Sequence, residues 1–161
     1  MKSVKALVAS IAIVSLMAML VGTAVMGATV TATVTAANIA ISVSSGTIAY
    51  GTVLTSQDTV TLGQTQTVTN DGNVAEDFSV AGTDSADWTL GATAGSATYR
   101  HDFCAGTSCT PSTPLTTTDQ SLATSVAAAG TQDVNFKITV PTSNAGTAQE
   151  NVNVSITASA S

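Results

Sequence analysis

The sequence predicts an all-β protein, a two-sheet β-sandwich of immunoglobulin-like or jelly-roll type with an N-terminal donor strand. Apolar residues recur at every second position in one stretch after another, the period of a half-buried strand. No stretch shows a helical period with caps, so helices are at most single turns. The 161 residues, less any targeting segment, suffice for one modest core and leave no room for separate catalytic and regulatory modules.

The composition narrows the function classes. Charged residues make up 9% of the chain, and Lys plus Arg total 4 against 10 Asp plus Glu. With a formal net charge of -6, the chain lacks the basic surface that gathers nucleic acid phosphates. Threonine, serine, alanine and glycine fill the place of charge, which suits an outward-facing, β-rich structural protein better than a cytoplasmic enzyme.

The N-terminus reads as an export signal over residues 1–27. Lys2 and Lys5 form the charged region, and Ala6 to Val21 carries no charge. Cleavage before Ala28 fits the small-residue rule best, and cleavage after Ala24 is also compatible with it. The same stretch could instead be a retained membrane anchor, or be cut in prepilin fashion near Lys5 and Ala6, although that junction lacks the usual glycine. Beyond the signal only Arg100 and Lys137 remain as cations, so self-association has to be driven by backbone pairing and apolar contact.

Residues 28–43 form the next segment. ATVTATVT places Val30, Ala32 and Val34 on one face and threonines on the other, and Ile39, Ile41 and Val43 repeat the alternation. The segment has no charge and no proline, the usual protections of a strand edge. It is expected either to lie inside its own sheet, as an ordinary first strand, or to complete the sheet of another subunit. Head-to-tail exchange of such a strand gives a contact that does not close, hence a fibre.

Residues 44–161 are expected to form the sandwich. Val60 to Leu62 and Gln64 to Asn70 read as a strand pair, Asn70-Asp71-Gly72-Asn73 as a reversal, and Phe78 and Val80 as part of the returning strand. Short strands are expected around Trp88 and Tyr99, with Trp88 in the core, followed by a loop from Cys104 to Thr118. Val134, Phe136, Ile138 and Val140 mark one strand and Val152, Val154, Ile156 and Ala158 another, expected to pair as an antiparallel hairpin. Pro141 sits at the strand exit, where its missing N–H costs no ladder bond.

Residues with chemical potential are few. Cys104 and Cys109 are the only cysteines, and four intervening residues without a helix pattern point to a local structural disulfide rather than a redox site. Such a small ring constrains the unfolded chain by about 2 kcal/mol. His101 is the only histidine, so a multi-histidine zinc site is impossible, and no Gly-x-Ser-x-Gly elbow supports a hydrolase. The carboxylates Asp71, Glu76, Asp77, Asp84 and Asp87 do not match a calcium-loop spacing. No phosphate loop implies a nucleotide, so no cofactor, metal or catalytic residue is assigned. Asn153-Val154-Ser155 is a glycosylation sequon on the face opposite Val152, Val154 and Ile156.

The signal ending in Val25-Met26-Gly27-Ala28-Thr29, the strand directly after it, NDGNVAEDFSV, the Trp88-centred strand and the closing VPTSNAGTAQENVNVSITA together resemble secreted immunoglobulin-like proteins of prokaryotic surfaces. Among these, the arrangement is similar to the biofilm matrix fibre and camelysin-like family and to related archaeal bundling pilins. The resemblance implies a filament subunit whose N-terminal strand, roughly Ala28 to Ala36, completes the sandwich of the next subunit and so holds cells together in a matrix. Some camelysin-like members have been regarded as metalloproteases, but this chain has no His-Glu-x-x-His motif.

The expectation is therefore an extracellular, cell-surface homopolymer, with Val30, Ala32 and Val34 filling pockets of an acceptor groove and lateral bundling through Thr and Asn faces. A rival reading is a monomeric surface or glycan-binding module using Trp88, Tyr99 and the Cys104–Cys109 loop. A second rival is a secreted hydrolase, which requires an exposed His101.

Overall fold

The computed structural model describes residues 30–54, 58–60, 65–143 and 149–161, with the backbone alone for 58–60. The expected signal over residues 1–27 lies outside the described residues, as do Ala28, Thr29 and Leu62. Among the described residues, Val30–Thr35 belong to one unit and those from Ala36 to Ser161 to a second, which holds every strand described.

The second unit is all-β, and among the described residues no helix occurs. The strands are β1 (Ile41–Val43), β2 (Asp58–Val60), β3 (Gln66–Asn70), β4 (Glu76–Gly82), β5 (Thr89–Leu90), β6 (Thr98–Ala105), β7 (Thr113–Pro114), β8 (Gln120–Val126), β9 (Thr131–Thr139) and β10 (Val154–Ala160). They form two sheets. The larger runs β1-β3-β9-β6-β5, curled into a half-barrel, with β2 paired to β9 and β7 to β6; the smaller is β10-β4-β8. Every pairing is antiparallel except β5 with β6.

The alternation read from the sequence is the burial pattern of the strands. In β9 and just beyond, Val134, Phe136, Ile138 and Val140 are buried, and Pro141 follows at the exit. Buried side chains from both sheets form a single cluster, with Val68, Phe103, Val134 and Phe136 from the larger and Phe78, Val80 and Leu122 from the smaller. Burying a Phe or Val side chain contributes about 1.5–3 kcal/mol, which makes this cluster the main stabilising element.

Three pairing expectations are corrected. β9 and β10 are not a hairpin: β9 belongs to the larger sheet, and β10 pairs with β4 in the smaller. Asn70 to Asn73 likewise joins β3 to β4 across the two sheets and does not fold them onto each other. The physical reason is shared. Period two fixes which face of a strand is buried, and a strand crossing to the opposite sheet buries the same face as one that returns beside its neighbour. Third, β2 and β3 do not pair together but lie in line along one side of β9. From Val60 to Gln66 the chain advances six residues, while their partners Lys137 and Val134 are three apart, so the β2–β3 run is three residues longer than the stretch it faces.

The middle of the chain is more regular than its sequence suggests. The expected strands near Trp88 and Tyr99 are β5 and β6, but β6 continues through Cys104 to Ala105, and β7 interrupts the expected loop. Trp88 is half-buried and lies outside the core cluster, its ring centroid 6.1 Å from that of Tyr99. Tyr99, by contrast, is fully buried and donates its hydroxyl to the Thr83 carbonyl.

Candidate functional site

The N-terminal segment has the composition of a strand without the pairing of one. Among the described residues, 30–40 belong to no strand, and the expected strand over residues 28–43 is reduced to β1 at Ile41–Val43. Val30 is 93% and Val34 95% exposed, and Ala32 is exposed too. Alternating β-branched residues favour an extended chain, but a strand also needs a neighbour to accept and donate its backbone hydrogen bonds.

Residues 36–40, by contrast, are firmly anchored to the β3–β4 corner. The Asn73 side chain grips the chain twice: its Oδ1 accepts the Asn38 N–H at 2.7 Å, and its Nδ2 donates to the Ala36 carbonyl at 2.9 Å. Backbone bonds from Asn73 N–H to the Asn38 carbonyl and from Asp71 N–H to the Ala40 carbonyl continue the contact. The Ala40 N–H donates to Oε1 of Glu76, a fully buried carboxylate at the start of β4. Asn70, also buried, donates from Nδ2 to the carbonyls of Val74 and Val126 and accepts the Gly72 N–H, so it ties the corner to β8. Gly72 is required by space: an added Cβ would lie 2.3 Å from both the Asn38 carbonyl oxygen and Glu76 Oε1.

In the sequence, Asn70 to Asn73 signalled only a change of direction. Its carboxamides and the following glutamate also fix the point from which the N-terminal segment leaves. The tethering roles of Asn70, Asn73 and Glu76 went unread because a turn signal says nothing about which remote strand the turn will hold.

A second polar cluster is internal. His101 is 2% exposed, and its Nε2 lies 2.7 Å from the Tyr50 hydroxyl, with the Tyr50 ring edge-on at 5.7 Å. Burial pushes its imidazole down to about 4, opposed by the negative charge of Asp102. Burial also raises the Tyr50 hydroxyl, and it raises that of Tyr99 to about 12 with help from Asp84. Asp102 is fully buried on the other face of β6, where Arg100 Nε donates to Oδ1 at 2.7 Å and Lys137 Nζ lies 3.4 Å from Oδ2. The two cations beyond Lys5 thus converge on one buried carboxylate. The hydrolase reading needs His101 exposed, and it is enclosed between Tyr50, Tyr99 and Phe136.

The remaining expected features are separate. Cys104 and Cys109 form a disulfide with their Cα atoms 6.1 Å apart. The loop is held to β9 by Gly106 N–H donating to the Asp133 carbonyl and by Asn135 Nδ2 donating to the Gly106 carbonyl. Asn153 of the sequon is exposed just before β10. The carboxylates weighed for calcium are dispersed: Asp77 accepts the Ser125 N–H, Asp84 accepts the Leu90 N–H, and among the described residues no three metal-binding side chains cluster.

No family model, curated protein or solved structure matches the chain.

Two outcomes follow from these contacts. Gly72→Ala forces the corner open and is expected to destabilise the domain by about 1–3 kcal/mol in urea unfolding, with faster amide exchange at Asn38 and Ala40; unchanged exchange there would contradict the tether. His101 is kept neutral by the fold, so between pH 6.5 and about 4 the unfolded chain binds the extra proton, and stability falls as pH drops through that window. The whole effect is on the order of 3 kcal/mol. Parent and His101→Gln should therefore converge in stability between pH 7 and pH 4.5, whereas a pH-independent difference would contradict the buried neutral imidazole.

Proposed function

We propose that this chain is the subunit of an extracellular homopolymer that grows by donor-strand complementation into pili or matrix filaments serving cell adhesion and biofilm. In this proposal the two sheets are an immunoglobulin-like or jelly-roll-type sandwich, the signal over residues 1–27 directs export, and Val30, Ala32 and Val34 enter a neighbouring subunit. The supporting observation is the contrast at Ala36. On one side lies an alternating, uncharged segment with exposed valines, and on the other a chain pinned by Asn73 and Glu76. A strand-forming segment held at one end and without a ladder partner among the described residues suits insertion into a second copy.

The electrostatics favour the same mode of association. With Arg100 and Lys137 both committed to Asp102, the acids of one copy find few cations on the next, and backbone pairing with apolar contact is the mode that composition permits. The exposed Thr and Asn side chains suit lateral bundling, and a glycan on Asn153 would face solvent. The glycan-binding reading needs an aromatic platform, but Tyr99 is buried and Trp88 half-buried.

Val30→Asp and Val34→Asp each place a carboxylate where the proposal buries a methyl pair, so either should reduce fibre mass at least tenfold while leaving export intact. Electron microscopy and quantification of the surface-sheared fraction check this, and normal fibres from either variant would overturn the mechanism.

A further inference from the structure

We propose that the outer edge of β10 is the acceptor for Val30–Ala36 of a neighbouring copy; this rests on the filament reading above and names its docking surface. The sheet edges differ in how well they are protected. In the larger sheet the terminal strands β1 and β5 have three and two residues, too short to template much pairing. In the smaller sheet, β8 is disturbed by register shifts against β4 and by a positive φ at Ser125. β10 runs seven residues in unbroken register with β4, carries neither charge nor proline, and among the described residues has no second partner.

The orientation of its backbone follows from the bonds that bracket it. Thr83 N–H donates to the Asn153 carbonyl and Ser161 N–H to the Ala75 carbonyl, both in register with the β10–β4 ladder. Backbone groups alternate in direction along a strand, so those of Ser155, Thr157 and Ser159 turn to β4, while the N–H and C=O of Val154, Ile156, Ala158 and Ala160 project from the free edge. The inward side chains report the same opening. Phe78 and Val80 on the adjacent β4 are fully buried, whereas Val154, Ile156 and Ala158 are only half-buried although they pack against the core.

Val30–Ala36 matches this edge in length, in alternation and in lack of charge. An added strand would bond to the free backbone groups of β10, while Val30, Ala32 and Val34 would cover the half-exposed apolar face and the threonines would continue the Ser and Thr surface outside.

The test uses the exported full chain. Ala158→Pro removes an N–H from the free edge without touching a bond to β4, and Ala158→Lys, which leaves the backbone intact, serves if the proline variant does not fold. The expected result is an exported, cooperatively unfolding monomer and at least a tenfold loss of fibre. Mixed with Val30→Asp/Val34→Asp chains, which keep the acceptor but lose the donor, the variant should form dimers and nothing longer, because each mixed pair has one working contact. Fibre loss in the valine variant together with parent-level fibre in both Ala158 variants would overturn the β10 assignment and leave the filament reading standing. Fibres from all variants would overturn both. A parent chain that stays monomeric and is destabilised by either change would show the segment folding back on its own β10, which also overturns the proposal.

Discussion

A strand edge that is neither paired, short nor charged leaves a row of backbone donors and acceptors in search of partners, and this constraint governs the whole architecture. Most of the chain satisfies it internally. β9 is paired along both sides, by β2 and β3 in line on one and by β6 on the other, and the outer strands of the larger sheet are brief. The crossings from β3 to β4 and from β9 to β10 pass from one sheet to the other, so the last strand arrives at an edge and not between two neighbours. Val30–Thr35, the far side of β10 and the outer side of β8, whose register with β4 is broken, are the places where the constraint remains open among the described residues.

Charge is arranged so that association cannot easily be electrostatic. Asp102 is enclosed with Arg100 and Lys137, an arrangement in which removing one partner would strand a buried charge, and it commits the cations that could otherwise reach a neighbouring acidic surface. On the opposite face of the same strand, His101 is neutral and close to the Tyr50 hydroxyl, which fixes the segment after β1 against the larger sheet. The polar interior thus serves to hold segments in place. Asn70, Asn73 and Glu76 act in the same way at the corner, where they set the point at which the N-terminal segment departs.

Burial was legible in the sequence where alternation is long and unbroken. Val134 to Val140 and Val154 to Ala158 face inward as their spacing requires, and the Cys104–Cys109 pair is bonded as its short spacing suggests. Pairing was not legible, because a β-arch and a hairpin share one hydrophobic pattern and differ only in where the chain goes next. The scarcity of aromatic residues points to Trp88 as a core residue, yet it is half-buried while Tyr99 is fully buried, since the inward positions of β6 fall at Tyr99, His101 and Phe103. The tether at Asn73 and Glu76 depends on contacts more than thirty residues distant in sequence, for which local spacing carries no signal.

The central claim is that a strand from one copy completes the sheet of the next. Cryo-electron microscopy of the native surface-sheared fraction, with the protein identified in the same material, addresses it most directly. Fibres in which Val30–Ala36 of each subunit is paired to a sheet of its neighbour are the expected result. Monodisperse single domains, or fibres joined through surfaces that leave this segment free, would contradict it.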